Sequence, residues 1–473
     1  MSSAAISKRI WSLCHVLRDD GIVYHKYLSE LTYLLFLKAA SETGREDLLP
    51  LGHRWRDLAS QPSDSDMLSF YRKMLTSLGE DASEEIVREI FRFPTTVFNH
   101  EENLRKVVEG IDAIDWHEAL SDGLGAVYES LLQRNASEAR SGAGQYFTPR
   151  PLVDAMVQVL QPGLGETIQD PAAGTAGFLI SAQTYIVERH DKAAYVRNPP
   201  DFQAVEIEGD TYRLCLMNMF LHGMQGKVIH GDALTHDAEE LTSPDVVIAN
   251  PPFGTSVGGA RARRDDLPYR TSNKQFMFLQ RIVQSLSAGG RAAIVLPDNV
   301  LFEENIGREI RAWLMERCDL HTILRLPVGI FYAQGVKTNV IFFTMIGKEA
   351  TNSTKEVWFY DMRAQMPSYG KTRPLSADDF SPFIKAFGDD PYGKAKRKDE
   401  GEEGRFRRFT RDEIAARNDN LDISWLREDE EEAEEGLTEL DDIAAAILGH
   451  LRSALDEIEA VAEELAEPEG AEA

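Results

Sequence analysis

Val246-Val247-Ile248-Ala249-Asn250-Pro251-Pro252-Phe253 runs four apolar residues into an abrupt stop: one polar side chain, two prolines and an aromatic ring. Such a run reads as a buried strand followed by the loop at its carboxyl end. The same pattern recurs on both sides. Apolar runs at 167–169, 202–207, 228–229, 291–296, 320–326 and 340–345 alternate with helical stretches at 151–160, 177–189, 211–221, 274–286 and 306–317. Strand–helix alternation of this length predicts an α/β fold, a doubly wound parallel sheet with helices on both faces. The last two runs are expected to form an added hairpin-like pair.

On the amino-terminal side the pattern is different. Residues 1–140 read as an all-helical domain: Ile10, Leu13, Cys14 and Leu17 keep helical spacing, Leu28, Leu31, Leu34, Leu35 and Leu37 do so less strictly, and 84–93 and 119–132 add amphipathic stretches. The α/β region is assigned to 141–350. Residues 351–426 extend it with one more strand at 357–362, then a polar stretch at 388–408 that reads as a loop. The tail, 427–473, opens on a nearly all-acidic segment. From there Leu437, Leu440, Ala444, Ile447, Leu451, Ala454, Ile458, Val461 and Leu465 follow alternating spacings of three and four, the heptad seam of a coiled coil. Two readings fit it: a helix packed on its own domain, or one that pairs with another subunit.

The chain's 473 residues, 43% hydrophobic and 27% charged, have the proportions of a soluble globular protein, which excludes global disorder and a fibrous repeat. No apolar run reaches the roughly 18 residues of a membrane-spanning helix, so no membrane role is expected. Lys8, Arg9, Arg18 and Asp19 interrupt the first apolar residues, so no secretory signal is read. Cys14, Cys215 and Cys318 lie too far apart for a zinc cluster or a disulfide framework, which fits a reducing cytoplasm. The formal charge of −27 argues against tight DNA binding by this chain alone. The tail carries 18 Asp and Glu against two Arg, more than half of that acidity. A basic partner or a local basic patch would have to supply the grip. Two such patches are present: Arg261, Arg263, Arg264 and Arg270 after the prolines, and Lys394, Lys396, Arg397 and Lys398 further on. Solvated loops explain either equally simply.

The chemistry concentrates at predicted strand ends, the edge where open α/β sheets bind ligands. A flat base with an exocyclic amine presents two N–H donors. The Asn250 side-chain oxygen and the Pro251 carbonyl can accept them, Pro251 and Pro252 stiffen the turn, and Phe253 offers a face for a flipped base. By itself the motif could also be a rigid turn without chemistry. Asp170-Pro171-Ala172-Ala173-Gly174-Thr175-Ala176-Gly177-Phe178 closes the first strand with small residues that let a ligand approach the backbone. It is neither the dinucleotide fingerprint nor a phosphate loop. The nearest approach to the latter, Gly388 to Lys394, continues with Ala395 where magnesium binding needs Ser or Thr. Glu206 ends the second strand and can accept from two ribose hydroxyls. Asp232, followed by Ala233, ends the third and can accept from an adenine amine. Alone, each acid would as readily be a helix cap or a surface charge.

Together these residues resemble the gamma-class adenine-N6 DNA methyltransferases, and most closely the modification subunits of type I restriction–modification systems. Gly144-Gln145-Tyr146-Phe147-Thr148-Pro149 looks like the family's methionine-pocket motif, and the cofactor loop and Asn250–Phe253 follow in the family's order. The blocks Glu206 to Leu214, Met217-Asn218, Leu221-His222-Gly223 and Gly289 to Pro297 also recur in sequence, so that the resemblance covers about residues 8–426. Two departures stand out. Ala173 and Ala176 occupy positions where the family often has Cys and Gly, and Phe253 stands where many relatives outside type I have Tyr.

The resemblance implies a Rossmann-like, S-adenosylmethionine-dependent methyltransferase sheet with a helical amino-terminal domain and a helical tail. Asn250, Pro251, Pro252 and Phe253 would be catalytic. Gln145, Tyr146, Phe147, Thr148, Asp170, Pro171, Ala172, Gly174, Thr175, Gly177, Phe178, Glu206, Asp232 and Ala233 would bind the cofactor, and Arg261, Arg263 and Arg264 would touch DNA. It implies no metal and no covalent enzyme intermediate. The expected partners are DNA, a specificity subunit serving two methylation subunits, and a restriction subunit, since the chain shows no ATPase motif and no target-recognition domain. A solitary methyltransferase, acting on adenine N6 or cytosine N4, and a non-catalytic scaffold are the alternatives. Asn250 argues against cytosine, whose enzymes usually carry Ser before the prolines, and the intact site residues argue against a scaffold.

Overall fold

The computed structural model describes residues 6, 8–13, 24–63, 65–114, 116, 131, 148–254, 266–327, 330–331, 337–364, 369 and 375–426. Helices α1 to α5 span Tyr24–Glu42, Trp55–Ala59, Met67–Asp81, Glu85–Ile90 and Glu101–Asp112. Then come α6 (Arg150–Leu160), β1 (Thr167–Asp170), α7 (Gly177–Arg189), α8 (Lys192–Arg197), β2 (Asp201–Glu206), α9 (Gly209–Leu221), β3 (Gly226–His230), β4 (Val246–Ala249), α10 (Lys274–Ser285) and β5 (Arg291–Pro297). The remainder is α11 (Asn299–Phe302), α12 (Ile306–Arg317), β6 (Cys318–Arg325), β7 (Thr338–Met345), β8 (Glu356–Asp361), α13 (Ala377–Phe387), β9 (Phe406–Thr410) and α14 (Arg411–Ala415).

These elements form two compact units. One draws on residues 1–147, 174–176 and 208–225; the other on 148–173, 177–207 and 226–473. The first unit is helical. In α3, Met67, Leu68, Tyr71, Met74, Leu75 and Leu78 recur at helical spacing and face inward. The helix α9 belongs to this unit although it follows β2 in sequence. Its residues from Tyr212 to Phe220 are buried nearly all round, Arg213 excepted. Phe220 packs on Phe36 with ring centroids 4.6 Å apart, and Arg213 Nε donates to the Ile90 carbonyl at 2.9 Å. Glu30 is buried beneath them and accepts from the Tyr71 hydroxyl at 2.7 Å and the Val97 amide at 2.7 Å, which anchors the irregular segment after α4. Burial raises its pKa to about 7.

The second unit is built on a nine-stranded sheet in the order β3-β2-β1-β4-β5-β7-β6-β8-β9. The strands β1 to β5 are mutually parallel, as the sequence predicts. The sheet as a whole is mixed: β7 runs antiparallel to both β5 and β6, and β9 antiparallel to β8. An antiparallel neighbour needs no helical crossover, so β7 returns directly beside β6 and inserts between it and β5. Strands β4, β5 and β7 are buried along their whole length, as strands covered on both faces must be. Arg291 fixes the start of β5. Its guanidinium donates to both Glu166 carboxylate oxygens at 2.7 and 3.0 Å and to the Leu160 carbonyl at 2.7 Å, joining the sheet to the end of α6.

As far as Arg405 the polar stretch at 388–408 forms the loop that its composition predicts. Arg397 turns inward and donates to Thr322 Oγ1 at 2.9 Å and to the Phe387 carbonyl at 3.0 Å, while its guanidinium lies over the Phe387 ring at 4.3 Å. Lys394, Lys396 and Lys398 alternate outward. The sheet's edge strand β9 begins at Phe406, within this stretch. Among the described residues no helix is long and apolar enough to cross a membrane.

Candidate active site

The sheet order brings four strand ends side by side at one edge. Asp232 follows β3, Glu206 ends β2, Asp170 ends β1 and Asn250 follows β4, and these strands are consecutive neighbours. The register aligns them: Asp170 pairs with Ala204 and Glu206 with His230, so Glu206 and Asp232 each lie two residues beyond a paired position. Neighbouring strands are about 4.8 Å apart, which makes this row one continuous rim. Chain order reverses between β1 and β4, the switch point where an open α/β sheet leaves a crevice. Asp170 and Asn250 flank it.

Asp170 is fully buried. One carboxylate oxygen accepts the Ala172 amide at 3.1 Å, and the other is buried with no partner among the described residues. Burial, reinforced by the nearby negative charge of Glu206, pushes its pKa up to about 8. The Ala173 amide donates to the Val205 carbonyl at 3.0 Å and the Gly231 amide to the Glu206 carbonyl at 3.0 Å, so the loops after β1 and β3 are both clipped to β2. Asp232 Oδ1 accepts the Leu234 amide at 2.9 Å, which folds its own loop and turns the carboxylate into a local bracket. Ala233 is buried in the apolar core with Val205 and Met277, so only its backbone is available to a ligand. Phe178 is likewise buried, whereas Phe253 is half-exposed. A Cβ added at Gly177 would meet no atom of the described residues within 4 Å, which leaves room for a ligand's close approach. In the helical unit, the Thr175 carbonyl accepts Asn218 Nδ2 at 2.8 Å.

At the end of β4 the Asn250 amide nitrogen donates to Thr148 Oγ1 at 3.0 Å, while Asn250 Oδ1 is buried with no partner among the described residues. Pro251 is buried beside it. Beyond the prolines, Gly254 (φ +96°) is held to α10 by Gln275. The arrangement is a rigid turn that holds a buried acceptor, unpartnered among the described residues, at the carboxyl end of β4.

The sequence matches the N-6 DNA Methylase family over residues 119–435. The chain belongs to that family. It is 43% identical to the EcoKI type I restriction enzyme methylase subunit of Escherichia coli K12, an alignment that covers 98% of this chain and 96% of the relative. To the StySJI methylase subunit of Salmonella typhimurium it is 42% identical over 100% of this chain and 97% of the other. Among solved structures, the EcoKI M protein superposes with a TM-score of 0.56 at 38% identity, covering 99% and 98% of the two chains. A type I restriction–modification assembly structure contains a chain that matches with a TM-score of 0.72 at 25% identity, over 99% of this chain and 100% of that one. The adenine-N6 DNA methyltransferase class and the type I modification subunit read from the sequence are therefore this chain's own. Enzymes of the N-6 DNA Methylase family are methyltransferases, which in general use S-adenosylmethionine.

Several expected N-6 DNA Methylase positions lie outside the described residues: Gln145, Tyr146 and Phe147 of the methionine-pocket motif, and Arg261, Arg263 and Arg264 of the basic loop. Two residues escape the sequence reading. Gln275 is buried 21 positions beyond the glycine it binds, with no spacing to signal the pair. Ile207 is 56% exposed immediately after Glu206. An exposed isoleucine at a strand end was a legible signal, hidden because 202–207 reads as one apolar run.

Proposed function

We propose that the row Asp170, Glu206 and Asp232 receives S-adenosylmethionine and that Asn250–Phe253 presents the adenine of DNA to it. The observation that carries this reading is the buried Oδ1 of Asn250 at the switch point, which has no partner among the described residues. A buried acceptor without a donor costs about 1–3 kcal/mol, and the N6 amine is a donor that removes the cost. Asn250 Oδ1 and the Pro251 carbonyl accept the two N6 hydrogens and turn the nitrogen lone pair out of the ring plane. Phe253 stacks on the extruded base, whose removal from the duplex gives access to N6. Glu206 accepts from the ribose hydroxyls, Ile207 covers the adenine ring of the cofactor, and Asp232 accepts from its amine. The room beside Gly177 lets the cofactor lie against the loop. When bound, S-adenosylmethionine supplies the electrophilic methyl. The chain's own contribution is alignment of the two reactants, together with acceptors already in place.

The acidity of the chain supports a division of labour. A specificity subunit supplies recognition and most of the DNA grip, two methylation subunits serve each specificity subunit, and a restriction subunit completes the assembly. The heptad seam from Leu437 to Leu465 lies outside the described residues, and we assign it to pairing with the specificity subunit's long helices. Arg261, Arg263 and Arg264 are assigned to phosphates.

Methyl transfer from tritiated cofactor, measured with and without a specificity subunit, tests the whole reading. N6-methyladenine formed only in the assembled complex is the expected result. Label on cytosine N4, or full activity of the chain alone, would replace it with a solitary enzyme, and no label would leave a scaffold. Truncation at Glu435 should preserve cofactor binding and abolish co-purification with the specificity subunit.

A further inference from the structure

We infer that Thr148 is a positioning residue for the methyl transfer, acting through the placement of the Asn250 side-chain amide. This rests on the reading of Asn250 as the acceptor of the target amine. An asparagine amide can be turned over with almost no change of shape, which exchanges an acceptor for a donor. The Thr148 hydroxyl can pair with either end of the amide, accepting from Nδ2 or donating to Oδ1, so it holds the side chain in place and the incoming amine selects which end faces it. With Nδ2 on Thr148 Oγ1, as the structure has it at 3.0 Å, Oδ1 is left to that amine. Turned over, the amide would set Nδ2 against the incoming N6–H, donor against donor, and the base could not be held.

Among the described residues, Thr148 is the side chain that receives Nδ2, and Oδ1 has no partner. The hydroxyl stands 102 residues earlier in the chain, directly before Pro149 and the first turn of α6, whose first residues are Arg150 and Pro151. Pro149 and Pro151 fix that turn, and so fix where the hydroxyl lies. Its place in the Gln145–Thr148 motif assigns Thr148 to the cofactor's methionine moiety; the hydrogen bond assigns it to the amide that holds the target base.

The two assignments separate kinetically. Thr148→Val keeps the side chain's shape and removes the acceptor. In the full chain assembled with a specificity subunit, kcat for methyl transfer should fall about tenfold, the worth of one hydrogen bond expressed as rate. Cofactor affinity, measured by calorimetry on the full chain, should stay within about twofold. Thr148→Ser retains the hydroxyl and should restore most of the rate. Should Thr148→Val unfold, the serine variant and Thr148→Ala carry the same comparison. Weakened cofactor binding with kcat unchanged would overturn the proposal and return Thr148 to the methionine pocket. Equal losses of rate in the serine and valine variants would also overturn it, since packing and not the hydroxyl would then matter. Asn250→Ala, run alongside, keeps the two readings apart. If that variant turns over normally, the reading of Asn250 fails; if it is inactive while Thr148→Val is unimpaired, only the positioning role fails.

Discussion

The side-chain oxygen of Gln275 accepts the amide hydrogen of Gly254 at 3.0 Å, and the Lys274 amide donates to the Gly254 carbonyl at the same distance. Both backbone groups of the residue after Phe253 are thereby tied to the first turn of α10. Gln275 is only 4% exposed, and its Nε2 donates to Asn299 Oδ1 at 3.4 Å. Cutting the side chain back leaves the Gly254 amide unpaired, at a cost of about 1–3 kcal/mol. Gln275→Ala should therefore lower the unfolding midpoint and slow single-turnover methylation several-fold, with cofactor affinity unchanged. A normal single-turnover rate would show that the prolines alone hold the turn.

On the proposed role of Asn250 toward the target amine, Asn250→Ala should remove methyl transfer and leave the cofactor in place. Loss of one preorganised hydrogen bond in an excluded site costs about 3 kcal/mol, roughly a hundredfold in rate. Glu206→Ala should do the reverse, weakening cofactor binding first. Paired calorimetry and rate measurements on the two variants distinguish the roles. If both variants lose affinity equally, the two residues share one subsite.

What the sequence discloses here follows from periodicity. Uniformly apolar strands such as Val246–Ala249 are legible because burial on both faces leaves no polar position to confuse the pattern. The strand β9, Phe406-Arg407-Arg408-Phe409-Thr410, escapes because an edge strand is half solvated and buries only Phe406 fully. The site acids are legible for the same reason as the strands: each stands where an apolar run stops. The Thr148–Asn250 and Gln275–Gly254 bonds are not, since each joins residues brought together only by the fold. Nor does chain order reveal that α9, lying between two sheet strands, packs with the helical unit; its nearly all-round apolar surface fits burial against either.

Asp170 and Glu30 make stability depend on pH. Both carboxyls have folded-state pKa values raised by burial, to about 8 and about 7. A raised pKa means that the folded state binds the proton more tightly than the unfolded chain does. The stabilisation is fully present below the unfolded pKa near 4 and is lost as pH rises through the folded value. The cofactor-free protein should thus melt at progressively lower temperature from about pH 5 to pH 8. Asp170→Asn, which cannot ionise, should flatten part of that decline, and Glu30→Gln another part. Melting curves of the two variants and the parent across this range check it; slopes identical to the parent's would mean that neither group stays protonated on folding.

The last prediction turns on the cofactor loop's two alanines, both departures from what the family often has. Ala176 has φ +67°, the left-handed region, and is fully buried. An L-residue pays about 1–2 kcal/mol for that conformation, and Gly does not. Gly loses about 0.5–1 kcal/mol in backbone entropy on folding, and the burial of the methyl is lost as well, so Ala176→Gly should come out within about 1 kcal/mol of neutral. Ala173 is also buried, but its backbone has no positive φ, and its amide is committed to Val205. There the entropy term and the lost burial of the methyl act together, and Ala173→Gly should destabilise by about 1–2 kcal/mol. Denaturant titrations of the two single variants give the difference directly. A smaller loss, or a gain, at Ala176 locates the strain there, whereas an equal loss in both would mean that the loop tolerates alanine there without strain, and that the glycine of its relatives answers to close approach by the cofactor.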